Sequence, residues 1–475
     1  MRRTTISNLR QFLLALLLPA VAIATGLQSC NDEGPGIPAE ENGPAKSSGN
    51  PLMRSPEEAI DIAQRAYEEF YGDATPSSRG RSIIDCSRPV EVVRGARSRG
   101  GSSDTLLYIV NFVDDQGFAV IAAPRAADEL LAVTSQGHYY PESDPEAGSV
   151  PGFDLWMEAA GDYAASIQIP SLGDSIKLPK DTFVIVKGDT LLPPVNPGGG
   201  TSIIFDSTKI VNPDEPGLLQ HKEWNDTTFR LVINRQLPGC WTQGMGISQN
   251  LQSYPEAYYF WNGYCGCATV AIAQICAFYQ EPLQIYQFNE LGQMYSYKLD
   301  WSKMIQHKAY VGNGDMISCK DEDQSISHIM IATLCKTIAN RANATINSDG
   351  TGIKKEKALG ILKELLSRNI SNNWSSYNTS VFVYQGQLLL MRGETLQKQG
   401  HEWVCDGTRY FKFDHYFATR RNDKEQWQVQ SKTSGQTLFV HYNWGWGGEN
   451  NGWFNQNVLT VGKYTFYNLE YVRIY

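Results

Sequence analysis

Two residues in this chain could cooperate to break an acyl bond: a cysteine heading an apolar helix and a histidine heading a strand. Gly266-Cys267-Ala268-Thr269-Val270-Ala271-Ile272-Ala273-Gln274-Ile275 follows a turn-like Asn262-Gly263-Tyr264. A run that is apolar almost all round predicts a buried helix. A cysteine in its first turn feels the positive end of the helix dipole, which favours thiolate, the reactive form. Cys265 shares that setting, and position alone does not separate it from Cys267. A nucleophilic thiol also needs a base within reach and a third group to hold that base.

Seven histidines compete for the base. His401 follows Gly400 and opens Glu402-Trp403-Val404-Cys405-Asp406-Gly407, which reads as a strand whose glycine permits close approach by substrate or backbone. A second cluster, Val440-His441-Tyr442-Asn443-Trp444-Gly445-Trp446-Gly447-Gly448, reads as a strand running into a glycine-rich loop. If the two strands pair, Asn443 can orient the imidazole and Trp444 can shield it from water.

The elements that must position these groups divide the chain. Its 475 residues, 42% of them apolar, exceed one typical domain and suggest two folded units. A net charge of -9 and the lack of any basic stripe exclude a nucleic-acid surface. Residues 52–150 read as a small α+β module. Ser55-Pro56-Glu57-Glu58 is a capping box opening an amphipathic helix through Ala59, Ile60, Ala63, Tyr67 and Phe70. Strand-like runs at 106–112 and 117–123 flank Asp114-Asp115-Gln116, and 130–133 supplies a third. Residues 151–215 look irregular, with Pro193, Pro194, Pro197 and the glycines at 198–200 marking a linker where processing could occur. Residues 216–475 carry the candidate chemistry.

The amino terminus speaks to compartment. Arg2, Arg3 and Arg10 precede an apolar run over 12–27, the form of an export signal, and no other segment could span a bilayer. Residues 1–29 end in Leu27-Gln28-Ser29, and with Cys30 this resembles a bacterial lipobox, which implies lipidation of Cys30 and a place in the outer membrane or at the cell surface. Residues 30–51 read as a solvated tether. Of nine cysteines, Cys276, Cys335 and Cys405 fall in apolar runs and read as buried free thiols, while Cys240 and Cys265 could pair.

The Gly-Cys helix ending in Ala-Gln, the Gly-His-x-Trp-Val-x-Asp-Gly strand and the Asn-Trp-Gly-Trp-Gly-Gly loop, in that order, resemble the streptopain peptidases, family C10 of the papain-like clan. The resemblance implies an α+β fold: a papain-like catalytic domain, with a helical part bearing the nucleophile and an antiparallel sheet part, behind an inhibitory pro-domain at 52–150. It implies Cys267 as nucleophile, His401 as general base, and Asn443 with Trp444 as the support of the histidine. His441, Cys265 and Cys405 match no catalytic position and read as packing groups. Relatives place an oxyanion-binding glutamine in a Trp-x-Gln motif, which implies Gln243 of Trp241-Thr242-Gln243. The competing Trp224-Asn225-Asp226 would offer a carboxylate, whose charge opposes an oxyanion.

Two stretches concern substrate. The long segment 408–436 is expected to flank the cleft with its charged tip, and Ser348-Asp349-Gly350-Thr351-Gly352 loosely matches the family's specificity loop. The implied reaction is peptide hydrolysis through a thioester, on protein or peptide substrates, with no cofactor or metal. The rivals are acyl transfer to an amine on the same dyad and a lipid-anchored pseudo-peptidase that only binds.

Overall fold

A computed structural model describes residues 53–72, 90–93, 105–139, 151–167, 220–239, 241–243, 264–288, 293–306, 322–347, 350–377, 381–394, 400–420, 424, 426–461 and 467–475. The signal sequence, Cys30, the tether and Cys240 lie outside them. All the described residues belong to one unit, Gly49–Tyr475.

The amino-terminal module runs α1 (Pro56–Tyr71), β1 (Val90–Val93), β2 (Thr105–Asn111), β3 (Phe118–Ala122), β4 (Leu130–Thr134) and α2 (Pro151–Ser166). The capping box is present in full: Glu58 N donates to Ser55 Oγ at 3.3 Å and Ser55 N to Glu58 Oε2 at 2.9 Å. Strand alternation sorts the sheet's side chains. Tyr108, Val110, Ala119 and Ile121 face α1, while Leu107, Ile109, Phe118 and Val120 face α2. Residues 151–166, expected as the start of a linker, are instead helix α2. Its Phe153, Trp156 and Tyr163 are buried, and each aromatic of that size contributes about 1.5–3 kcal/mol by leaving water. Glycine and proline at its first two positions read as loop, and tertiary burial overrides them. Residues 168–215 lie outside the described residues.

The remainder runs β5 (Gln220–Ile233), α3 (Cys267–Tyr279), β6 (Gln284–Phe288), β7 (Met294–Lys298), α4 (Trp301–Met304) and α5 (Glu322–Arg341). Then come β8 (Thr345–Asn347), β9 (Gly350–Gly352), α6 (Lys355–Leu365), β10 (Ser375–Ser376), β11 (Leu388–Glu394), β12 (Gly400–Arg420), β13 (Gln428–Asn443), β14 (Gly452–Asn455), α7 (Gln456–Val461) and β15 (Tyr467–Ile474). The architecture is α+β, and among the described residues every strand-to-strand ladder is antiparallel.

One eleven-stranded sheet unites both regions in the order β1-β2-β3-β4-β14-β13-β12-β11-β15-β10, with β5 also paired to β12. The join is β4 against β14, with Thr134, Val133 and Ala132 opposite Gly452, Trp453 and Phe454. The sheet has a core on each face. Leu388, Leu390 and Val404 pack under α3, α5 and α6, whereas Leu389, Met391, Trp403 and Cys405 pack with α2. Segment 408–436 is mostly strand: β12 and β13 form a long ribbon with β5 alongside.

Candidate active site

The helix that carries Cys267 begins where only glycine fits. Gly266 precedes Cys267 with φ 89°, and a side chain there would collide with the backbone of Thr351. The loose candidate for a specificity loop therefore does touch the start of α3 through Thr351. From Ala268 to Ala277 the helix is buried, which fixes Cys267 on its first turn.

The Cys267 sulfur accepts from the backbone amides of Ala268 and Glu402. Burial, and then the charge of Glu402, push the thiol up to about 11. The thiolate preference expected from the helix dipole is thus outweighed here, because desolvation penalises the anion more than a partial charge supports it. Glu402 is itself buried, 1% exposed at its side chain, and burial lifts it to about 7 against the pull of Arg392. Arg392 sits opposite it on β11, 2.6 Å from Glu402 Oε1 and 2.8 Å from Glu394 Oε1. Glu402 Oε2 has no partner.

His401 is the next residue along the strand, and its ring packs with the other face. It stacks on Trp403 at 6.0 Å between centroids and lies 6.3 Å from Trp444. Gly152, the second residue of α2, presses on this ring: a Cβ there would collide with His401 Cδ2 and Nε2 and stand 2.7 Å from Trp444 Cε3. His401 Nε2 makes no hydrogen bond. Burial pushes the imidazole down to about 4, countered only by a hydrogen bond to the Trp444 backbone. The ring is therefore neutral at pH 7 and is not bonded to Cys267.

Asn443 ends β13 opposite Val404. Its amide is engaged with Gln274 of α3, not with His401: Gln274 Nε2 donates to Asn443 Oδ1 at 3.2 Å and Asn443 Nδ2 to Gln274 Oε1 at 3.1 Å. Trp444 is wholly buried, its Nε1 donating to Asn450 O and its ring against Trp403, Tyr442 and Phe454.

Gln243 is held by its backbone, its N–H donating to Gly445 O at 2.7 Å and its carbonyl accepting from Cys265 at 3.1 Å. Its side-chain Nε2 is buried and unpartnered, a donor without an acceptor. Asn225 lies in β5 opposite His415. Fourteen residues of extended strand separate His415 from His401, roughly 45 Å.

Cys265, Cys276, Cys335 and Cys405 are free buried thiols. A hydrogen bond with Cys335 and burial raise the Cys265 thiol well above the ordinary range. His441 is a buried structural group, with Nδ1 2.6 Å from Asp406 Oδ1 and its ring against Trp453. Sequence reasoning missed Gly152, Arg392 and Glu402. Gly152 bears no local signal, and the Arg392–Glu402 pair emerges only from strand register. Gln274 was visible in the helix motif, with no role attached.

Residues 241–454 match the peptidase C10 family. Among solved structures, a fragment of Prevotella intermedia prointerpain A with a cysteine-to-alanine mutation matches at 16% identity and a TM-score of 0.42. That match covers 79% of this chain and 97% of the fragment. No curated protein matches the chain. The region similar to the peptidase C10 family, residues 241–454, holds Cys267, His401, Asn443 and Gln243, which is consistent with a cysteine peptidase of that family.

Proposed function

We propose that the chain is the inactive precursor of an exported, lipid-anchored cysteine endopeptidase. Cys267 is the nucleophile, His401 its base, Asn443 and Trp444 support the histidine, and Gln243 donates to the oxyanion. The observation that carries this reading is the position of the Cys267 sulfur on the backbone amide of Glu402, the residue after His401, with the unpartnered Gln243 amide in the adjoining loop. A thiol, an imidazole and a free donor on three separate elements form an acyl-transfer set.

In the mature enzyme His401 takes the Cys267 proton, and the thiolate attacks the substrate carbonyl. The oxyanion then faces the Cys267 backbone N–H and Gln243 Nε2. His401 returns the proton to the leaving amine, and water, activated by the same imidazole, releases the acid from the thioester. A half-buried neutral thiol at Cys267, a buried neutral imidazole at His401 and Gly152 against that imidazole support the view that α2 keeps the precursor silent. Inhibition would then come from α1, β1–β4 and α2 together, with cleavage beyond Ser166 releasing His401 to turn toward Cys267. The signal at 1–29 and lipid at Cys30 would anchor the protein to the outer membrane or cell surface, with extracellular proteins or peptides as substrates.

A thiol-directed epoxide tests the reading. Matured protein should be labelled at Cys267 and should hydrolyse casein, whereas Cys267→Ala should do neither. Absence of both label and turnover in the matured wild type would sink the peptidase assignment in favour of a binding-only surface protein. Transfer of the acyl group to added amines in preference to water would make it a transferase.

A further inference from the structure

Gln274 lies two turns along α3 from Cys267, is 2% exposed, and joins three parts of the site. Its Oε1 accepts from Trp241 N at 3.0 Å and from Asn443 Nδ2 at 3.1 Å, while its Nε2 donates to Asn443 Oδ1 at 3.2 Å. Asn443 Oδ1 also accepts from Gly445 N at 3.0 Å. The two backbone donors, Trp241 N and Gly445 N, each require an oxygen, so they fix which way both side-chain amides point. The ring closes through the Gln243 segment, where Gln243 N donates to Gly445 O and Gly447 N donates to Trp241 O. The Trp241–Gln243 segment and the Asn443–Gly445 turn thus have one side chain in common, and it comes from the nucleophile helix.

We propose that Gln274 is a positioning residue of the reaction, setting the Gln243 amide and Asn443 relative to Cys267. The inference rests on the peptidase reading above. Both lone pairs of Asn443 Oδ1 are filled in this precursor state, by Gln274 Nε2 and Gly445 N, so before maturation Asn443 is held by Gln274 and not bonded to His401. Both lone pairs of Gln274 Oε1 and one Nε2–H are engaged inside the protein and the side chain is buried, so it offers no surface to substrate. Its loss therefore misplaces the oxyanion donor and leaves the substrate-binding surface intact. A misplacement near 1 Å in such a site costs on the order of 100-fold in rate.

The test uses full-length protein allowed to mature, with active sites counted by epoxide labelling and turnover read on a fluorogenic peptide. Gln274→Ala should lower kcat about 10- to 100-fold with KM within about twofold, because transition-state contacts are lost and ground-state binding is not. Combining it with Gln243→Ala should give a loss close to that of Gln243→Ala alone, since both act through the same amide. Gln274→Glu keeps the acceptor for Trp241 N and loses the donor to Asn443 Oδ1, so it tests that donor separately and should show an intermediate kcat, with folding of each variant checked by its melting temperature. Wild-type kcat in the Gln274 variants, a change in KM alone, or fully multiplicative losses in the double variant would overturn the inference while an active wild type leaves the peptidase reading standing. An inactive, unlabelled wild type overturns both.

Discussion

Gly152, at the start of α2, lies flat against the imidazole of His401, with no room for a side chain between them. The contact joins the amino-terminal region to the candidate base directly. Replacing Gly152 with Ala should therefore loosen α2 without touching the chemistry of the mature site. Overpacking of this kind costs about 1–3 kcal/mol, which raises the open population by about 5- to 150-fold. The intact precursor should show a matching rise in epoxide labelling at Cys267, read by peptide mass spectrometry. Unchanged labelling would mean that α2 does not gate the site.

Burial and Glu402 hold the Cys267 thiol near 11, so the precursor should be a poor nucleophile at neutral pH. At pH 7 a thiol of that pKa is about one ten-thousandth thiolate, roughly 300-fold less than an ordinary cysteine. Iodoacetamide should modify Cys267 in the precursor correspondingly slowly, with a rate that climbs until about pH 11. In the matured protein the same profile should move to lower pH as His401 becomes available. Coincident profiles before and after maturation would contradict the gating reading.

The histidine gives the precursor an acid-sensitive contact. His401 is pushed from its ordinary 6.5 to about 4, so between those values the undocked form binds the proton and the docked form does not. Stability contributed by the neutral ring is therefore complete above pH 6.5 and falls as the pH drops toward 4. Glu402 acts in the opposite sense: raised from 4.5 to about 7, it stabilises fully below 4.5 and loses that contribution as pH rises through 7. In a Cys267→Ala precursor, which cannot process itself, α2 amides should exchange hydrogen faster at pH 5 than at pH 7.5 after correction for intrinsic rates. Glu402→Gln should enlarge the difference, and equal protection at both pH values would rule the effect out.

Arg409 of β12 caps the far end of the same region. It donates to the last carbonyls of α1, Glu69 O at 2.9 Å and Phe70 O at 3.0 Å, and sits over the rings of Phe70 and Trp453 at 4.5 and 4.9 Å. A buried cation at a helix carboxyl end with two charge-assisted bonds contributes about 2–3 kcal/mol. Arg409→Met should lower the melting temperature of the precursor by several degrees and speed its maturation. A variant that melts and matures like wild type would show that the strand pairing of β4 with β14 suffices for docking.

What the sequence determined by itself was local. The capping box at Ser55–Glu58, the short apolar runs that form β2 to β4 and the all-apolar helix after Gly266 are short-range patterns, and each depends only on neighbours a few residues away. The Gly-Cys, Gly-His and Asn-Trp motifs were enough to name Cys267, His401 and Asn443 as candidates, and the family resemblance added Gln243. Tertiary structure alone decided which groups meet. Gln274 and Asn443 stand 169 positions apart, the Arg392–Glu402 pair depends on the register of β11 against β12, and Gly152 reaches His401 only because α2 packs on that face of the shared sheet. It also decided the charge states. The helix dipole argued for a thiolate at Cys267, but burial and a carboxylate from another strand outweigh it, because desolvation depends on everything packed around the sulfur and a sequence window sees only one side of it.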